Sequence, residues 1–156
     1  MSKTRFRRAD RRRRRGVTMV ETAFVLSALM LVLLVMLDLG LAVLHYNSLS
    51  AASRWVAREA VVHGEKASPE RTPWGPAAYS GAASDPSSEI AATARRALAA
   101  CDAQDVTVAV EWLDGDVEIG DRVQVTLSCD YEPIVPVLFG WQPFVMSATS
   151  TMRITH

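Results

Sequence analysis

The stretch "RRRRRGVTMVETAFVLSALMLVLLVMLDLGLAVL", Arg11 to Leu44, decides the fold of this chain. Five arginines, Arg11, Arg12, Arg13, Arg14 and Arg15, stop at Gly16, and an apolar run follows. From Thr22 to Leu44 only Asp38 is charged. These twenty-three residues at about 1.5 Å rise each make a helix of roughly 34 Å, enough to cross a hydrocarbon core of about 30 Å. A helix buried in a water-soluble domain shows polar residues every third or fourth position, and this run shows almost none. The run reads as a single transmembrane helix.

Charge supports that reading. Residues 1–16 hold nine Lys or Arg against Asp10 alone, a net +8, and the remaining 140 residues hold eight basic and sixteen acidic side chains, a net −8. A basic arm directly before a span keeps its side of the membrane cytoplasmic, so the acidic body faces outward. The arm has no aromatic residue beyond Phe6, and its topological role already accounts for it, so no nucleic-acid partner is expected.

Outward from the run, Val17 to about Val62 reads as one helix without proline, with Leu49, Ala52, Trp55, Val56 and Ala60 near helical spacing beyond the membrane. Gly64 to Ser88 is rich in Pro, Gly, Ser and Ala and reads as an exposed loop. Asp85-Pro86 offers a helix N-cap with proline first in the helix, and a short helix is expected from Glu89 to about Ala100. The period then drops to two. Val106 to Trp112, Val123 to Tyr131 and Phe144 to Ile154 alternate apolar and polar residues, with turn chemistry at Leu113 to Asp116. The expected fold class is α+β: a long N-terminal transmembrane helix continuing into an extracytoplasmic domain with a short helix and a three-stranded antiparallel sheet. The boundaries are 1–16 for a basic leader, 17–44 for the span, 45–63 for its continuation, 64–88 for a flexible loop and 89–156 for helix plus sheet.

Catalytic patterns are missing. The chain has no Gly-rich phosphate loop, no nucleophile elbow and no paired-histidine metal helix, so no enzyme, cofactor or metal site is expected. Asp114, Asp116, Glu118 and Asp121 have the wrong spacing for a calcium loop and read as a solvated hairpin. Cys101 and Cys129 lie in the outward body, where an oxidising compartment favours a disulfide worth roughly 3–4 kcal/mol in the entropic account. Two buried thiols are the alternative.

Two carboxylates remain, and in a membrane each is expensive. Asp38 either sits near the outer interface and stays wet or needs a partner. Glu21 lies five residues past Gly16. If the chain is cut after Gly16, Val17 gains a free amine, and Glu21 lies one helical turn away on the same face. A basic leader, a glycine, a cut before the apolar run and a glutamate at the fifth mature position form a type III prepilin signal. A secretory signal is instead cut behind its apolar segment.

On these residues the chain resembles the TadE-like pseudopilins of tight-adherence (Flp-type) pilus systems. "RRRG" and "VTMVETAFVL" resemble the processing region, with Gly16, Val17 and Glu21 in the matching places. "LDLGLAVLHYNSLSAASRWVAREA" is similar to a stretch in which Asp38, Gly40, Ala57, Arg58 and Glu59 match, while Leu41 replaces the usual arginine. Tyr131 and the pair Met152 and Arg153 resemble features of the closing strands. The resemblance implies a non-enzymatic, minor pilin-like protein that a prepilin peptidase processes. It implies other pseudopilins or pilins as partners through the N-terminal helix, an inner-membrane assembly platform and secretion ATPase nearby, and a place in the bacterial inner membrane with the N-terminus in the cytoplasm. The alternative is an uncleaved single-pass protein whose outer domain binds a ligand.

Overall fold

The computed structural model describes residues 4–64, 67–68, 71–134 and 142–155, and of residues 4–17 the backbone alone. The elements are α1 (Thr4–Val62), β1 (Tyr79–Ala82), α2 (Glu89–Ala97), β2 (Val106–Trp112), β3 (Arg122–Tyr131) and β4 (Phe144–Arg153). The chain divides into two compact units, Met1–Leu39 and Gly40–His156.

The first unit is helical from Thr4 onward. The helix therefore starts earlier than the Val17 expected from the apolar pattern, because no proline or glycine separates Thr4 from Arg15. Its described apolar side chains are largely exposed, with Met19, Phe24 and Leu33 among them. Thr18 to Val62 is long and apolar enough to cross a membrane once. Two hydroxyls in its apolar part bond to their own helix. Thr22 Oγ1 donates to the Thr18 carbonyl at 2.7 Å and Ser27 Oγ to the Ala23 carbonyl at 2.8 Å. Such back-bonding is how a span satisfies polar groups that lipid cannot serve.

The second unit is a four-stranded antiparallel sheet in the order β1-β2-β3-β4, with part of α1 and α2 on one face. Alternation dictates that face. Val106, Val108 and Val110 of β2, Val123, Val125 and Leu127 of β3, and Met146 and Ala148 of β4 are buried. They join Leu49, Ala52, Val56, Ala57 and Ala60 of α1 and Ile90 and Ala94 of α2 in one core. The opposite face is polar: Thr126 and Thr149 oppose one another across β3 and β4, their hydroxyls 3.0 Å apart.

The sheet has four strands, not three. β1 lies inside the segment expected to be a flexible loop, and pairs Tyr79 with Val110 and Ala82 with Thr107. Four residues that include a glycine have no strand signal of their own; the edge of β2 supplies the pairing. The α2 cap also differs. Ser88, not Asp85, is the N-cap, its Oγ accepting from the Ala91 amide at 3.3 Å. Asp85 instead makes an Asx turn, accepting from the Ser87 amide at 2.9 Å. α2 stops at Ala97 because the next donors turn elsewhere: the amides of Ala99 and Ala100 both donate to Ser48 Oγ on α1, at 3.0 and 3.2 Å.

Candidate functional site

The residues singled out by sequence fall into three places. The first is the N-terminal part of α1. Gly16 and Val17 have helical backbone, while the side chains of Arg11 to Arg15 and Val17 lie outside the described residues. Glu21 is exposed and has no hydrogen bond or ion pair among the described residues.

The second place is the middle of α1. Asp38 is 1% exposed within the folded chain. Gly40 is not needed for close approach, since a Cβ there would meet nothing within 4 Å. Its absent side chain leaves an open spot on the helix surface. Beyond it, Ala57 is fully buried in the core and Arg58 is exposed. Glu59 belongs to a clip at the end of α1. Its carboxylate lies 3.6 Å from His63 Nε2 and 3.5 Å from Arg71. His63 Nδ1 is 2.7 Å from the Thr72 carbonyl, and its ring stacks on Trp74 at 4.3 Å. Trp74 Nε1 donates to Glu89 Oε2 at 3.2 Å. Trp74 is the one tryptophan in the Pro- and Gly-rich loop, and a large ring there is a local mark that the loop packs on something. Its partners are distant in the chain, so the sequence could not name them.

The third place is the sheet. Tyr131 is buried at the end of β3, its ring edge-on to His45 at 5.3 Å and tilted against Phe144 at 5.6 Å. Met152 is half-buried opposite Val123, and Arg153 is exposed opposite Arg122. Arg122 is held by Asp114, which takes its guanidinium at 2.7 and 3.1 Å and its amide at 2.8 Å. Those bonds bring the Asp114 carboxyl down to about 2. Asp121 is pushed the other way, above the usual carboxylate range, first by its hydrogen bond with Asp116. The acidic hairpin is thus organised by Arg122 and by its own turns. Among the described residues no three His, Cys, Asp or Glu side chains are grouped to hold a metal.

Cys101 and Cys129 are unbridged thiols in this structure, where the sequence favours a disulfide. The fold nevertheless brings them together. Cys129, buried on β3, is pushed up to about 11 by burial and by the adjacent Cys101. Cys101 is raised as well, chiefly by burial, and its Sγ donates to the His45 carbonyl at 3.8 Å. Both are therefore protonated, weakly nucleophilic thiols at neutral pH.

An open groove of about 510 Å³, not expected from the sequence, lies between α1 and α2. Ala51, Trp55 and Glu59 line one wall and Thr93, Arg96 and Ala97 the other. Trp55 is exposed there, although helical spacing marked it as a core residue.

Residues 16–58 match the family model described as TadE-like protein. No match is found among curated proteins or among solved structures. The matched segment starts at Gly16, includes Glu21, Asp38 and Gly40, and ends at Arg58; the strands bearing Tyr131, Met152 and Arg153 lie beyond it. Over residues 16–58 the chain is TadE-like.

Proposed function

We propose that this chain is a non-enzymatic, minor pilin-like protein of a tight-adherence pilus system. In this reading a prepilin peptidase cuts between Gly16 and Val17, and the mature helix stays in the bacterial inner membrane with the sheet outside. The observation that carries the reading is the coincidence of the TadE-like match, which starts at Gly16, with the exposed apolar part of α1. A helix whose described apolar side chains are largely exposed is suited to lie in lipid and against the helices of other pseudopilins or pilins. Glu21 then acts as counter-ion to the new Val17 amine, in its own helix or a neighbour's, since a lone charge in hydrocarbon is costly. The inner-membrane platform would receive the assembled helices.

The test separates cutting from assembly. Gly16→Val should leave a membrane-bound precursor, because a side chain there obstructs the close approach of the peptidase to the backbone. Glu21→Ala should be cut but fail to co-purify with other pilins, and Glu21→Asp should recover part of the association. A Glu21→Ala chain that is cut and assembles like the parent would remove the glutamate from the account.

A second reading has one observation in its favour. α1 runs without a break from Thr4 through Gly16, as an uncut single-pass helix would, and the groove beside Trp55 then offers a ligand site for the outer domain. A chain that keeps Met1 in cells containing the peptidase would favour it.

A further inference from the structure

The apolar run of the sequence ends at Leu44, and its last residues, Gly40 to Leu44, belong to the same compact unit as the sheet. The next residue, His45, contacts the ring of Tyr131 at the end of β3, and Tyr131 in turn contacts Phe144 at the start of β4. These two ring contacts set one end of the β3–β4 pair beside the point where the apolar run stops. That end is apolar on its surface. Ile134 is 58% exposed, Phe144 48% and Val145 67%, and Tyr46 on α1 is exposed next to His45.

Polarity along β4 is graded. On its outer face the strand reads Val145, Ser147, Thr149, Thr151 and Arg153, with the apolar residue only at the Tyr131 end. Phe144 and Val145 put apolar surface on both faces of this strand end. Tyrosine and other aromatic side chains collect where a span leaves the hydrocarbon, because one end of the ring is apolar and the surroundings are wet. Asp130 and Glu132 are exposed close by. Attraction to anionic lipid is therefore not what would hold this end; burial of apolar surface at the headgroup boundary is.

We infer that Tyr46, Ile134, Phe144 and Val145 form a second membrane contact, seated at the outer headgroup boundary. This contact would hold the sheet at the bilayer surface. The inference rests on the membrane reading above. Continuity with the end of the span is what assigns the patch to lipid and not to another protein.

The test uses the unmodified full chain in phosphatidylcholine vesicles that contain a phospholipid with a diazirine near its headgroup. After irradiation, lipid adducts are mapped by mass spectrometry. Adducts are expected within residues 22–44 and also on Ile134, Phe144 or Val145, with none from Thr149 to Arg153. Val145→Asp should abolish the adducts on Ile134 and Phe144 and leave those in the span unchanged. Adducts confined to the span would overturn the inference and leave the span intact. Their loss from the span itself would overturn both. A photoreactive amino acid placed at Val145 that links two copies of the chain and takes no lipid would overturn it in favour of a second copy.

Discussion

Replacing Ser48 by alanine removes one acceptor that serves two donors. Ser48 is buried on α1, and its Oγ receives the amides of Ala99 and Ala100 just past the end of α2. A neutral hydrogen bond lost to water costs about 0.5–1.5 kcal/mol, and a donor left dry costs roughly 1–3 kcal/mol. Ala99 is exposed, so water takes over its amide; Ala100 is half-buried, and its amide stands nearer the dry case. Together the two give about 1.5–4.5 kcal/mol. At about 1.4 kcal/mol per factor of ten, protection of these two amides should fall roughly ten- to a thousandfold. Amide hydrogen exchange on the full chain in lipid reads this directly, with Val108 and Val125 at the centre of the sheet as internal references. Ser48→Thr, which keeps the hydroxyl, should restore most of the protection. Unchanged exchange at Ala99 and Ala100 in Ser48→Ala would refute the claim that one hydroxyl ties the α2–β2 connection to α1.

Three further outcomes are expected. Gly75→Ala should lower thermal stability by roughly 1–3 kcal/mol, as overpacking does, because its Cβ would lie 2.6 Å from the Trp112 ring; an unchanged melt would mean that Gly75 does not lie against this hairpin. The bond between Asp114 and Arg122 should survive acid longer than an ordinary carboxylate contact. The folded-state value of about 2 lies below the usual 3.8, so this stabilisation is complete above 3.8 and is lost as pH falls towards 2; a titration of the Asp114 carboxyl by NMR centred near 3.8 would contradict it. The cysteines should form the bridge that the sequence favours when the chain comes from an oxidising compartment, so the denatured, unreduced chain should show no free thiol. After reduction, alkylation of folded Cys129 should rise steeply only as pH approaches about 11. Burial favours the protonated thiol, so the stability linked to it is present at neutral pH and is lost as pH rises through that value.

Features with a local signature were legible in the sequence. An unbroken apolar run gives a helix long and apolar enough to cross a membrane, and strict alternation in Val106 to Trp112 and Val123 to Tyr131 forces two strands with one buried face, which the structure reproduces. Features that depend on distant partners were not. Tyr79 to Ala82 becomes a strand only because β2 offers an edge. Ser88 and Asp85 are both good caps on paper, and Asp85 is taken up by its own bonds to Ser87, which leaves Ser88 as the cap. The clip of His63, Trp74 and Glu89 joins residues far apart in the chain. The candidate site divides in the same way. Gly16 and Glu21 are legible because the signal proposed for them is one of local sequence. On that proposal the groups they serve, a peptidase and neighbouring helices, belong to other molecules, so one folded chain carries no record of them.

The first residue of the mature chain tests the central claim most directly. The protein is isolated from membranes of cells that carry the prepilin peptidase and from cells that lack it, and the intact masses are compared. The account predicts a chain beginning at Val17 in the first case and at Met1 in the second, both retained in the membrane through the apolar part of α1. A chain that begins at Met1 in both, or that is cut behind Leu44 and released, would contradict it.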